Sequence, residues 1–453
     1  MIGVDLKKVV IIGGGISGLS AAYDLIRAGV DCTVIEKQSR LGGVIDTRIA
    51  SDCTLECGPD SFLSAKPDAL ALIKELGLEG EVIGSNDHQR TTYIWKRNRL
   101  VQLPEGVMMI VPSRVMPMVK TNLLGWPTKI RMGLEYFRKP GGANDGKDRS
   151  VADFVIDHFG QETLDYMAEP LLSGVYGGDP AQLSAASILP RFVEMERKSG
   201  SLVRAVLEAR GKSTGPAGPL FRTLKSGLGK IVDAMSTGVK VCNATAEAIE
   251  KTETGFRVRA NGHWMEATDV VVACPAWSAS GLLEGGLSEL LGGIDYSSSL
   301  TLSLIYDARA FDGRHAGFGF LVPKKERDRL AACTFVGTKF SYRIPDDRIA
   351  LRCFFGGIGD GGVLNDSDES IVVMAREELR RILGLTAAPI DSVIARWPRS
   401  MAQYTVGHQK RLEEIRAYVA AIPGLHLAGN AYEGIGIPDC IRTGRKAARE
   451  TIS

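Results

Sequence analysis

Six residues near the N-terminus, Gly13, Gly14, Gly15, Ile16, Ser17 and Gly18, carry the spacing G-x-G-x-x-G. They follow the apolar run 9–12 and open a helical stretch over 16–28, an order that predicts a strand, a tight turn and a helix. In such a turn the first glycine bends the chain, the second lets backbone approach a pyrophosphate, and the third lets helix pack on strand. The helix N-terminus then offers free N–H groups to the phosphates. Residues 31–36 read as a second strand ending in Glu36, whose carboxylate is placed to accept from ribose hydroxyls. A bound dinucleotide is the chemistry this order of residues predicts.

Glu36 and Lys37 run into a double-glycine turn, Arg40-Leu41-Gly42-Gly43-Val44, and then into Gly58-Pro59-Asp60-Ser61. The double-glycine turn resembles the signature of the amine-oxidase-like flavoproteins, where it lies along the pyrophosphate and ribityl chain of FAD. In that superfamily the segment at 58–61 passes close to the flavin ring. The far end of the chain supplies a second glycine turn: a strand at 425–428 leads to Gly429 and Asn430, then to Ile435, Gly436 and Ile437 ahead of Pro438. Proline suits the first position of a helix. A helix starting there aims its positive dipole end at an electron-rich acceptor such as a reduced flavin. The cofactor expected is FAD, held without a covalent bond; Cys440 stands nearby but in a context unlike that of the covalent amine oxidases.

The elements that must position these residues alternate. Strands are expected at 239–249, 255–260, 264–266 and 269–274, with a different sheet drawing on 296–306 and 349–355, and a last helix over 438–452. A helix-rich block, 151–210, lies between two polar glycine-rich stretches, 141–148 and 211–219, that read as linkers. The fold class expected is α/β: a Rossmann-like FAD-binding domain made of 1–85, 220–285 and 422–453, an α+β substrate-binding domain over 286–421, and a helical insertion over 92–210.

At 453 residues the chain needs more than one domain. A net charge of +2 gives no reason to expect nucleic acid. The eight cysteines form no Cys-x-x-Cys pair and the six histidines no ligand-spaced group, so neither a metal site nor a disulfide framework is expected. No uncharged run is long enough to span a bilayer, and the glycines of the first strand–turn argue against a signal peptide. A cytoplasmic protein is expected. The segment containing Met108, Met109, Ile110, Val111, Met116 and Met118, interleaved with Arg114 and Lys120, reads as core, a channel wall or a lipid-facing surface.

Motifs through the middle of the chain add a sharper likeness. Gly58-Pro-Asp-Ser-Phe62, Leu103-Pro104, Tyr176-Gly-Gly-Asp-Pro180, Leu183-Ser184, Leu189-Pro-Arg-Phe192, Gly319-Phe-Leu-Val-Pro323, Tyr404-Thr-Val-Gly-His408 and Gly434-Ile-Gly-Ile-Pro-Asp-Cys-Ile441 are its residues. With them the chain resembles the oxygen-dependent protoporphyrinogen/coproporphyrinogen oxidases of haem biosynthesis, nearer their bacterial branch. That resemblance implies removal of hydrides from a porphyrinogen in three two-electron steps, with O2 reoxidising the flavin, and no clear general base. Cofactor contacts are also expected at Ala246 and Trp397. The resemblance further implies a helical domain that touches membranes, so contact at the inner face of the membrane stays open, as does a monomer or a homodimer. Plant and animal members place a substrate-binding arginine where this chain has Thr92; Lys66 and Arg90 are the cations at hand to replace it. The competing readings are an amine oxidase or carotenoid desaturase of the same superfamily, or a flavin-free escort protein of small GTPases.

Overall fold

The computed structural model describes residues 7–140, 147–211, 218–311 and 316–453. The two expected linkers lie largely outside those residues. Strand β1 (Lys8–Ile12) is buried along Val9 to Ile12, as a central strand covered on both faces must be. It pairs in parallel with β2 (Asp31–Glu36) on one side and with Asp269–Val272 on the other. Lys240–Asn243 extends the sheet beyond β2, and Leu425–Leu427 beyond Asp269–Val272, both in parallel. The result is a five-stranded Rossmann-like sheet assembled from both ends and the middle of the chain.

Helix α1 (Ile16–Arg27) crosses from β1 to β2 and buries Leu19, Ala21, Ala22 and Leu25. The last helix, Ile437–Ile452, packs against it at Gly444, where a Cβ would come within 2.1 Å of the Ser17 carbonyl oxygen. Only glycine permits that approach.

The expected strand 239–249 is two strands. Lys240–Asn243 belongs to the parallel sheet, whereas Ala246–Lys251 pairs antiparallel with Phe256–Ala260, and that strand with His263–Ala267. The break comes where the Ala244 N–H donates to the Glu36 carbonyl at 3.0 Å, which turns the chain out of the sheet at the end of β2.

A second, seven-stranded sheet runs in the order Asp391–Ala402, Tyr296–Asp307, Arg348–Gly356, Ala332–Phe335, Gly319–Leu321, Thr92–Lys96, Arg99–Gln102. Its pairings are antiparallel except for Gly319–Leu321 against Thr92–Lys96. The helical region was expected to start at 92, but these pairings carry residues 92–102 into the sheet. The hairpin buries Ile94 and Trp95 against it, and its strands are too short for the sequence to show a partner more than two hundred residues away. Helices then dominate from Val115–Lys120 through Trp126–Glu135, Val151–Phe159, Glu169–Tyr176 and Pro190–Ser199 to Leu202–Gly211.

Candidate flavin site

The glycine fingerprint folds as a cradle. Gly13 takes φ +107°, and a Cβ there would meet the Ala273 carbonyl at 2.9 Å. A Cβ on Gly18 would come within 1.9 Å of the Gly13 oxygen. Gly15 caps α1 with no side-chain hydrogen bond and no acid stands in the first turn, so the helix N-terminus keeps its donors and its positive end for an anion. The buried Glu36 carboxylate accepts from the Gly14 N–H at 2.7 Å and the Gln38 N–H at 2.8 Å. Its remaining lone pairs are available to hydroxyl donors.

The double-glycine turn packs on this cradle. The Gly42 N–H donates to the Gly14 carbonyl at 2.8 Å, and a Cβ on Gly43 would meet the Gly15 Cα at 3.2 Å. Arg40 braces the turn by donating to the carbonyls of Leu41, Gly43 and Ile45, while its guanidinium lies 5.9 Å from the Trp397 ring. Val44 is partly exposed, and its carbonyl crowds Gly58 so closely that a Cβ on Gly58 would fall 1.7 Å away.

The segment 57–61 is pinned from the seven-stranded sheet. The Cys57 carbonyl accepts from Thr301 Oγ1 at 2.7 Å and from Trp397 Nε1 at 2.8 Å. The Gly58 carbonyl accepts from the buried Arg352 guanidinium. Pro59 follows, and Asp60 pairs with Lys339 at 2.8 Å and faces Arg352 at 3.9 Å. Burial alone would raise the Asp60 carboxyl; Lys339 and Arg352 overcome that and hold it well below the usual carboxylate range. Ser61 Oγ donates to the same carboxylate at 2.6 Å.

The C-terminal turn closes the constellation. Gly429 takes φ +132°, and its N–H donates to Thr443 Oγ1 at 3.2 Å. Asn430 Nδ2 donates to the Ser400 carbonyl at 2.9 Å, and its own carbonyl accepts from the Tyr404 hydroxyl at 2.8 Å. Ile435 and Gly436 lead into the last helix, where Ile437 is buried and Pro438 stands in the first turn. Tyr432 carries a buried hydroxyl with no hydrogen-bond partner among the described residues. The cradle whose Cβ positions are barred and the uncapped helix end fit the phosphates of a nucleotide.

Of the three substrate candidates, Lys66 joins the site but as a partner of Asp439, 2.5 Å away in the first turn of the last helix. Arg90 is exposed in a turn, 3.8 Å from Asp87, and Thr92 opens a sheet strand beside Gly319. The three do not converge on one point through any shared contact. Ala246 starts its antiparallel strand three residues past Asn243, whose side chain donates to the Glu36 carbonyl. Thr301, Lys339 and Arg352 were missed in the sequence, because nothing local ties them to residues 57–60.

Among the described residues one group has metal-compatible spacing: Asp157, His158 and Glu196 bring ligand atoms within 4.8 Å of one another. Arg138, Arg149 and Glu135 already occupy them as ion-pair partners.

The sequence family described as flavin containing amine oxidoreductase matches residues 16–452. The chain belongs to that family. It is 30% identical to the Coproporphyrinogen III oxidase of Bacillus subtilis over 99% of this chain and 98% of that protein. Identity to the Staphylococcus aureus protein of the same name is also 30%, over 99% of each. Protoporphyrinogen oxidase 1, chloroplastic, of Arabidopsis thaliana is 27% identical over 97% of this chain and 87% of its own. A crystal structure from Exiguobacterium sp. 255-15 covers 100% of both chains with a TM-score of 0.88 at 28% identity. The protein is therefore a flavin-dependent oxidoreductase grouped with the coproporphyrinogen and protoporphyrinogen oxidases, and its Rossmann-like α/β fold is that of the family.

Proposed function

We propose that the chain binds FAD non-covalently and oxidises a porphyrinogen, coproporphyrinogen III first among them, to the porphyrin with O2 as acceptor. The observation that carries this reading is the end-to-end match with relatives named Coproporphyrinogen III oxidase, running through every segment that builds the site. Support for FAD comes from Glu36 beside Gly14, where an adenosine ribose has an acceptor for its hydroxyls. Support for a non-covalent bond comes from Cys440: burial pushes its thiol up to about 12, so it is no thiolate nucleophile.

The flavin supplies the two-electron acceptor when it is bound. The chain's own groups hold and orient it. Residues 13–18 and 40–44 receive the diphosphate, residues 57–61 and Trp397 fix the ring side through the sheet, and residues 429–437 aim a helix end at it. Tyr404 and Tyr432 stay protonated, since burial pushes both hydroxyls far up; they act as donors and apolar walls rather than bases. Lys66 neutralises Asp439 and thereby keeps the first turn of the last helix from presenting a bare negative charge to the cofactor. Arg90 is left as the freer cation for a substrate carboxylate.

The purified protein should be yellow, and heat or acid should release FAD, identified by chromatography; flavin retained on denatured protein would contradict the non-covalent reading. A colourless protein unable to take up FAD would instead favour an escort-type role. Anaerobic mixing with coproporphyrinogen III should bleach the flavin absorbance band.

A further inference from the structure

The edge strand Asp391–Ala402 slips register against Tyr296–Asp307 between Ser297 and Ser299. Beside that slip Arg399 takes φ +44°. Among the described residues the other non-glycine residues with positive φ lie in turns, whereas Arg399 lies inside a strand. Left-handed backbone at such a residue is strained and persists only where the surroundings enforce it. Three hydrogen bonds do so. The Arg399 N–H donates to Ser298 Oγ at 2.9 Å, Trp277 Nε1 donates to the Arg399 carbonyl at 3.1 Å, and Asn430 Nδ2 donates to the Ser400 carbonyl. Trp277 and Asn430 follow two strands of the dinucleotide sheet, Asp269–Val272 and Leu425–Leu427.

The strained strand residue delivers a charge. The Arg399 guanidinium stands 4.3 Å from the centroid of the Trp277 ring, and the Lys37 ammonium stands 5.5 Å from the same centroid. Lys37 directly follows Glu36, and Trp277 lies just past Ala273, the residue whose carbonyl packs on Gly13. Among the described residues neither cation has a carboxylate within ion-pair distance, and Arg40 close by donates only to carbonyls. An indole attracts cations but cancels none of their charge. Both cations are exposed, and two cations that share one ring with no acid beside them offer an anion a place to bind.

We propose that Arg399, with Lys37 and Trp277, clamps the anionic diphosphate half of the cofactor, so that cofactor binding fastens the seven-stranded sheet to the dinucleotide fold. This rests on the FAD reading above.

The test is the dissociation constant of FAD from the holoenzyme, read by recovered flavin fluorescence on dilution at low and at high NaCl. Arg399→Met should raise it about tenfold at low salt, and the gap from the parent protein should close near 0.5 M NaCl, where charges are screened. Lys37→Met should act in the same direction, and Arg399→Lys should keep most of the affinity and the salt dependence. Three results would overturn the clamp. One is an unchanged constant in both charge-removing variants. Another is a rise equal at all salt concentrations, the mark of lost packing alone. The third is unchanged FAD binding with a raised KM for the porphyrinogen, which would assign the cations to substrate carboxylates. If Arg399→Met does not fold, Lys37→Met and Arg399→Lys decide alone. A parent protein that holds no FAD would sink the cofactor reading itself and needs no variant to see.

Discussion

At the scale of single residues, Glu36 stands at the meeting of two strands and two turns. Its carboxylate holds the Gly14 and Gln38 N–H groups, and its carbonyl accepts from Ala244 and from the Asn243 side chain. If the proposed FAD is bound as argued above, Glu36→Ala removes a charge-assisted hydrogen bond to its ribose worth roughly 1.5–3 kcal/mol. FAD affinity should fall by about 10- to 150-fold in equilibrium dialysis, and unchanged affinity would show that the ribose lies elsewhere. The place of Glu36 at the end of the second strand, beside Gly14, was legible in the sequence because it follows from a local order of strand, turn, helix and strand. Arg352, Thr301 and Arg399 were not, because their chemistry exists only once a sheet brings them against residues far away in the chain. Lys66 was legible as a cation near the site but its partner was not, since Asp439 lies more than three hundred residues on.

At the scale of elements, the helical region is tied together by one buried histidine. His158 Nδ1 lies 2.8 Å from Glu135 and Nε2 lies 3.0 Å from Glu196, joining Trp126–Glu135, Val151–Phe159 and Pro190–Ser199. Glu135 also accepts from the Leu202 and Val203 N–H groups at the start of the next helix. Carboxylates accept from both ring nitrogens, so the ring must be an imidazolium. Desolvation lowers its pKa, but hydrogen bonds to Glu135 and then Glu196 outweigh it and raise the value above the usual 6.5. A raised folded pKa gives stability that is full below about pH 6.5 and is lost as pH rises through the folded value. His158→Gln, which breaks a buried ion-paired network, should cost about 3–5 kcal/mol at pH 6, and the difference in melting temperature from the parent should shrink as pH rises. A gap constant from pH 6 to 9 would contradict the charged form. The fold class and the βαβ start were readable from periodicity and glycine spacing. The hairpin Thr92–Gln102 was misassigned because short strands carry no signal of which sheet they join.

At the scale of the whole molecule, no helix among the described residues is long and apolar enough to cross a membrane. The methionine-rich segment divides: Ile110, Val111 and Met118 are core, while Met109, Val115 and Met116 are exposed. Trp126, Ile130 and Leu134 continue the exposed apolar surface along one helix at four-residue spacing, and Phe137 is 72% exposed just beyond. Exposed apolar residues on a helix suit a contact, and with Arg114, Lys120 and Lys129 in the same stretch of chain we propose an anionic bilayer surface as the partner. Protein bound to anionic vesicles should be released by salt or mild detergent, and resistance to carbonate extraction would contradict a peripheral mode. Aerobic steady-state kinetics of the FAD-loaded protein on coproporphyrinogen III and protoporphyrinogen IX decide the proposed reaction. Porphyrin fluorescence should grow well above the non-enzymatic rate, with hydrogen peroxide formed alongside and kcat/KM higher for coproporphyrinogen III. Flavin-loaded protein that leaves both porphyrinogens at the non-enzymatic rate would contradict it.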